Sequence, residues 1–323
     1  MMNLYPLKLT AACKDYLWGG TRLKTEYNQH STSPIVAESW ELSCHPDGPS
    51  VIANGEFQGM TLAELLRDQG NGLLGTRCAA FPDFPVLIKL IDAKDRLSVQ
   101  VHPDNEYART HGGGFGKTEM WYVVDCEPGA SLIYGFDHPI SKEEYQSRIE
   151  SNTLMEVLNK VPVQRGDVFF IEAGTLHAIG AGILIAEIQQ NSNLTYRVYD
   201  YCRLGKDGKQ RELHIPQALD VTVRETPKRS AKPLGETETL PGCTRTLLGS
   251  CEYFTTSLLK ITELSMTADE GSFHSLVCLD GDALILDRGK PLLSFQKGDS
   301  VFLPAGLGRY TVKGDCEVLL TTV

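Results

Sequence analysis

Short apolar runs, each closed off by Gly, Asp, Asn or Pro, recur from one end of this 323-residue chain to the other. Phe84–Ile91, Met120–Val124, Asp167–Ile171 and Gly182–Ile188 are such runs, rich in β-branched and aromatic residues. Their length and make-up predict strands, and many short strands between frequent turn signals predict an antiparallel sandwich or jelly roll. Helical periodicity is confined to a few places. Thr61-Leu-Ala-Glu64 has a capping-box pattern and opens an apolar stripe of Leu62, Leu65 and Leu66, which predicts a helix. Ser141-Lys-Glu-Glu144 and Thr153-Leu-Met-Glu156 predict two more. The expected class is all-β with a few peripheral helices.

Between about Glu225 and Gly242 the pattern lapses into a polar stretch with three prolines and no periodicity, as a connector between domains would. The strand-rich segment beyond it partly repeats the first. Asp167-Val-Phe-Phe-Ile-Glu-Ala-Gly-Thr-Leu-His177 aligns with Asp299-Ser-Val-Phe-Leu-Pro-Ala-Gly-Leu-Gly-Arg309, each preceded by a glycine. Glu119–Asp125 aligns with His274–Asp280 in the same way. A repeated unit predicts two jelly rolls: residues 1–235 as a catalytic, metal-binding roll with small helical segments, and 236–323 as a second roll. The copies differ at the chemistry. Where the first has Glu119 and His177 the second has His274 and Arg309, and an arginine does not ligate a metal.

Candidate ligands lie in the first copy. In Leu97-Ser-Val-Gln-Val-His-Pro-Asp104, Gln100 and His102 are two apart and face the same way on a strand, which Pro103 should end. Glu119 heads the next strand, sharing a face with Trp121 and Val123, and His177 follows the Ala173-Gly174 turn. Two imidazoles, a carboxylate and an amide oxygen suit a borderline divalent ion such as zinc with one position open. Taken singly, each of these residues is more often a hydrogen-bonded or solvated side chain than a ligand. His45-Pro46-Asp47 lacks the upstream Gln and reads as a turn; His30, His111, His138, His214 and His274 have no partner pattern. Glu187, on the apolar run Ile183–Gln189, is a candidate acid/base group, or else half of a structural ion pair. Arg197 and Arg203 stand among three tyrosines, able to receive a phosphate or to snorkel from an edge strand.

Charge narrows the partners. The 41 acidic residues outnumber 31 basic ones, for a net charge of −10. Such a surface argues against nucleic acid and anionic membranes, while a few local cations still allow a small phosphorylated ligand. No stretch approaches the roughly 20 apolar residues of a spanning helix. The opening Met1–Pro6 lacks the build of a secretory signal, and the nine cysteines form no Cys-x-x-Cys pair. A reduced, cytoplasmic protein is expected.

Several segments resemble the cupin-type mannose-6-phosphate isomerases, in their short bacterial form. They are Trp18-Gly-Gly20, Ala37-Glu-Ser-Trp-Glu-Leu-Ser43, Pro85–Leu90, Leu97–Asp104, Lys117-Thr-Glu-Met-Trp121, Gly174-Thr-Leu-His-Ala178 and Tyr196-Arg197. The resemblance implies two cupin-like antiparallel β jelly rolls and one Zn2+ per chain, held by Gln100, His102, Glu119 and His177. It also implies a catalytic Arg197, Lys117 and Glu187 in the pocket, and Ser98 with Arg203 near a substrate phosphate. The implied reaction interconverts mannose 6-phosphate and fructose 6-phosphate through a cis-enediol, with Glu187 favoured as base over Lys117 or a water on the metal. A sugar-phosphate-binding cupin without catalysis is the alternative from another class, and intact Lys117, Glu187 and Arg197 argue against it. A His-rich iron oxygenase fits the Gln-His-Glu-His set poorly.

Overall fold

The computed structural model describes residues 4–111, 114–205 and 208–323. The four apolar runs form strands Val86–Ala93, Glu119–Cys126, Val168–Ile171 and Ile183–Gln190, all in antiparallel sheets with few helices. Thr61 caps helix Leu62–Gln69 through a complete capping box, which buries Leu62, Leu65 and Leu66. Ser141 caps helix Lys142–Glu150 by accepting the Glu144 N–H. The third predicted helix is only a 3-10 turn, Leu154–Glu156, and Thr153 makes no side-chain cap. Strand Leu158–Pro162 begins two residues later, too soon for a helix to repay its nucleation cost. Among the described residues, no helix is long and apolar enough to cross a membrane.

The chain forms two compact units that interleave in sequence. One takes Tyr16–Gly20 and Ile91–Ala231; the other takes the residues up to Asp15, Thr21–Leu90 and Lys232–Val323. The composition break near residue 235 suggests consecutive segments, 1–235 and 236–323, and the units differ from that because early strands join the C-terminal roll. Leu7–Thr10 pairs antiparallel with Ser300–Leu303, setting Leu7 against Phe302 and Leu9 against Ser300. Gln29 donates from its buried amide to the Gly298 carbonyl at 2.7 Å. A free strand edge exposes a row of unpaired backbone groups, and pairing with the N-terminal strand removes it.

In the first of these units a five-stranded sheet runs in the order Tyr196–Tyr199, Val99–Val101, His177–Ala178, Ser131–Phe136, Leu158–Pro162. Its period-2 alternation sorts two sets of side chains. Val99, Val101, Ala178 and Val198 join an apolar core with Tyr145 and Ala218 from the helices Lys142–Glu150 and Ile215–Val221. Gln100, His177 and Arg197 lie on the other face. Opposite that face, strand Glu119–Cys126 runs between Val168–Ile171 and Ile183–Gln190.

The repeat read from the sequence recurs in the hydrogen bonding of each roll. Ile171 pairs with Glu119 and Phe169 with Trp121; Leu303 pairs with His274 and Val301 with Leu276. The Val123 N–H donates to Asp167 and the Cys278 N–H to Asp299, both at 2.9 Å. Asp167 and Asp299 each accept a backbone N–H three residues upstream, from Gln164 and Gln296.

Candidate metal centre

Register explains how three residues from three strands meet. His177 stands directly opposite Gln100, and Arg197 is opposite Gln100 on its other side, so the three side chains form a row on one sheet face. His102 continues the Gln100 strand into Pro103. Glu119 projects from the facing strand. The ligand atoms of His102, Glu119 and His177 all lie within 4.8 Å of one another. The three side chains are at most 1 % exposed.

Both imidazoles are oriented from behind. His102 Nδ1 lies 2.8 Å from the Leu194 carbonyl and His177 Nδ1 2.8 Å from that of Thr175. A carbonyl only accepts, so each Nδ1 carries the proton and each Nε2 presents a lone pair to the cluster. Burial pushes the His177 imidazole down to about 4, leaving it neutral as ligation requires. Glu119 Oε1 is 3.4 Å from His177 Nε2 and Oε2 is 3.6 Å from His102 Nε2. These contacts converge on a common point without being short hydrogen bonds. Gln100 borders the cluster, its amide nitrogen 3.4 Å from His177 Nε2; a half-turn of the amide exchanges nitrogen for oxygen. Two neutral imidazoles, one carboxylate and an adjacent amide in a buried pocket fit a borderline divalent cation.

The other pocket residues gather on the carboxylate side. Lys117 Nζ lies 2.8 Å from Glu119 Oε2 and 3.6 Å from Glu187 Oε1, so one ammonium serves two buried carboxylates. The Trp121 indole N–H donates to Glu187 Oε2 at 3.0 Å. The same ring meets His177 edge-on, with centroids 5.3 Å apart.

Arg197 is half-buried, and its Nη1 donates to the Glu212 carbonyl at 2.9 Å. Burial, then the neighbouring Arg211, lower its proton affinity. Ser98 is buried just ahead of the Gln100 strand. Arg203 is engaged elsewhere: it binds Asp200 at 2.5 Å, the Arg96 carbonyl at 2.5 Å and Asp95 at 3.6 Å, and none of these contacts reaches the metal cluster. Arg211 holds the same Asp200 at 2.7 Å. Burial alone would raise the Asp200 carboxyl, but hydrogen bonds from Arg211 and Arg203 outweigh it and hold it below the usual range. Tyr201 and Cys202 both take φ +57, a left-handed turn uncommon for such residues, and Arg203 follows directly.

Sequence reasoning missed Arg211, Asp200 and the donor role of Trp121. Its only signal for Trp121 was a shared face with Glu119. The backing carbonyls of Thr175 and Leu194 left no signal, because any residue supplies a carbonyl.

Among the described residues the second roll has no such centre. At the position of Glu119 stands His274, whose Nδ1 lies 2.7 Å from the Tyr310 hydroxyl. Tyr310, 1 % exposed, fills the space beside it with Met266, and Arg309 is exposed.

Residues 6–122 match the family model of the phosphomannose isomerase type I catalytic domain, and 244–323 that of the mannose-6-phosphate isomerase cupin domain. A mannose-6-phosphate isomerase of Streptococcus mutans is 38% identical over 317 residues, 97% of either chain. Bacillus subtilis mannose-6-phosphate isomerase ManA is 37% identical over 99% of both. The crystal structure of the mannose 6-phosphate isomerase from Bacillus subtilis superposes with a TM-score of 0.90 at 36% identity, covering 99% of this chain and 100% of that one. A mutant phosphomannose isomerase from Salmonella typhimurium, 18% identical, shares the fold at a TM-score of 0.76 over 98% of this chain and 99% of its own.

Proposed function

The chain belongs to the type I phosphomannose isomerase family and is an aldose–ketose isomerase of that class; we propose that it interconverts mannose 6-phosphate and fructose 6-phosphate by zinc-assisted proton transfer through a cis-enediol. The observation that carries this reading is the buried His102–Glu119–His177 cluster with Lys117 and Glu187 set against it. Zn2+ held by these three and Gln100, with Glu119 its sole anionic ligand, would supply net positive charge against the developing enediolate oxygens.

The remaining chemistry falls to the chain's own side chains. Glu187 takes the proton from C2 and returns it to C1, while a second proton passes from the C2 hydroxyl to the C1 oxygen. The two carbons are adjacent, so one carboxylate serves both. Lys117 bridges that carboxylate and Glu119 as a shared counter-ion. Arg197, fixed by Glu212, supplies a second cation at the sheet face opposite. Ser98 and Arg203 anchor the phosphate. Arg96, stacked over Tyr201 at 3.8 Å, joins Arg203 and Arg211 in a patch of three guanidiniums, of which Arg203 and Arg211 bind Asp200 and Arg203 also lies near Asp95. That excess of positive charge on an acidic chain attracts a dianion, and phosphate binding helps align the reacting carbons.

Metal content and mannose-6-phosphate turnover, before and after chelation, test the reading on wild type and His102→Ala. One equivalent of zinc is expected, with turnover lost on chelation and in the variant. Stoichiometric metal without turnover would move the reading to a sugar-phosphate-binding protein, and a wild type that binds no metal would overturn it.

A further inference from the structure

Trp121 occupies the middle of the strand Glu119–Cys126, is fully buried, and touches two members of the centre at once. Its indole N–H reaches Glu187 Oε2 at 3.0 Å, and its ring packs against His177 in a T-shaped pair. The register makes this contact direct: Glu187 is the cross-strand partner of Trp121. Lys117 lies 3.6 Å from the other carboxylate oxygen, Oε1. The two oxygens of Glu187 are thereby distinguished, one tied by a neutral donor and the other turned towards the ammonium.

The second jelly roll shows what the fold requires at these positions. Counting along the repeat, Trp121 corresponds to Leu276. Phe169 pairs with Trp121 as Val301 pairs with Leu276. On the other side Glu187 pairs with Trp121 as Leu320 pairs with Leu276. Leu276 lies in the core of that roll with Leu320 packed against it. A Leu–Leu pair therefore satisfies the roll, without the desolvation cost of a buried carboxylate. The Trp–Glu pair at the same place in the catalytic roll serves something other than packing.

We infer that Trp121 is a positioning residue for Glu187: its indole N–H fixes the rotation of the carboxylate so that Oε1 is presented for proton transfer. An indole has a donor and no acceptor, so it holds Oε2 without competing for the transferred proton. The inference rests on the proposed isomerase reaction with Glu187 as its base.

Trp121→Phe keeps an aromatic ring and removes the donor. The expected result is a kcat lower by ~10–100-fold, the usual cost of losing a group that orients a reacting residue. KM for mannose 6-phosphate and the metal stoichiometry should stay as in wild type. The primary isotope effect with substrate deuterated at C2 should rise, because proton transfer becomes more rate-limiting. Adding Trp121→Phe to Glu187→Gln should lower kcat no further, since the indole acts through the carboxylate. As a check on folding, the double variant Trp121→Leu with Glu187→Leu copies the second roll and should fold and bind metal without turnover. Unchanged kcat in Trp121→Phe would overturn the inference alone. So would a fall in kcat that tracks metal loss, which would place the effect on His177. A metal-loaded wild type that fails to isomerise mannose 6-phosphate would overturn both this inference and the proposed reaction.

Discussion

His102 follows strand Val99–Val101 and His177 opens strand His177–Ala178, yet both use Nδ1–H on a backbone carbonyl and so present Nε2 the same way. The ligand types and their period-2 spacing were legible in the sequence because a strand has only two faces. The carbonyls that select the tautomer were not, since they come from Leu194 and Thr175, whose side chains are irrelevant to the contact. Arg203 has a partner that its sequence neighbourhood did not point to: it is bound to Asp200. A buried carboxyl on the strand Glu38–Leu42 gives a pH-dependent test. Glu41, 1 % exposed, accepts a hydrogen bond from Ser39 Oγ at 2.6 Å, and burial pushes its carboxyl from about 4.5 up to about 8. A raised acid pKa means the folded state keeps a proton that the unfolded chain has released. The stability this proton contributes is full below about 4.5 and lost as the pH rises through about 8. Glu41→Gln should remove that slope. Urea denaturation of both proteins across this window should show wild type losing stability relative to the variant as the pH rises; parallel curves would contradict it.

At the scale of elements, the repeat was the most informative feature of the sequence. Gly166 and Gly298 occupy equivalent turns at φ +96 and +87, the left-handed region in which a side chain is strained. Their surroundings differ. A Cβ on Gly166 would meet nothing within 4 Å, whereas one on Gly298 would lie 1.8 Å from the Tyr27 carbonyl oxygen. Gly166→Ala should therefore cost only the backbone strain, about 1–2 kcal/mol. Gly298→Ala must also displace backbone and should cost at least about 2 kcal/mol more. Denaturant midpoints of the two variants check this, and equal losses would refute it. The turn was readable because glycine precedes aspartate in both copies; the crowding at Gly298 was not, because Tyr27 lies far away in sequence. Local signals misled where they competed with a strand. Thr61 and Thr153 open similar motifs, but only Thr61 caps a helix, because Leu158 starts a strand just after the second.

For the whole molecule, the metal should act as a ligand of the native state only, raising stability as RT ln(1 + [L]/Kd). Chelation of wild type should lower the midpoint of thermal unfolding, and excess zinc should restore it. His102→Ala should show a smaller response to either treatment; an equal response would place the stabilising metal elsewhere. The sequence by itself determined the strand-rich class and the internal duplication, and it singled out His102, Glu119 and His177, which the fold gathers into one cluster. Each of those depends on residue type and short-range period, which the chain carries locally. Tertiary structure alone decided which early strands join the C-terminal roll, since strand pairing joins residues as distant as Leu7 and Phe302. It also decided that Lys117 lies between two carboxylates, that Trp121 donates to Glu187, and that Asp200 gathers two arginines. Those contacts depend on register between strands, and register is set by the summed packing of whole faces rather than by any motif.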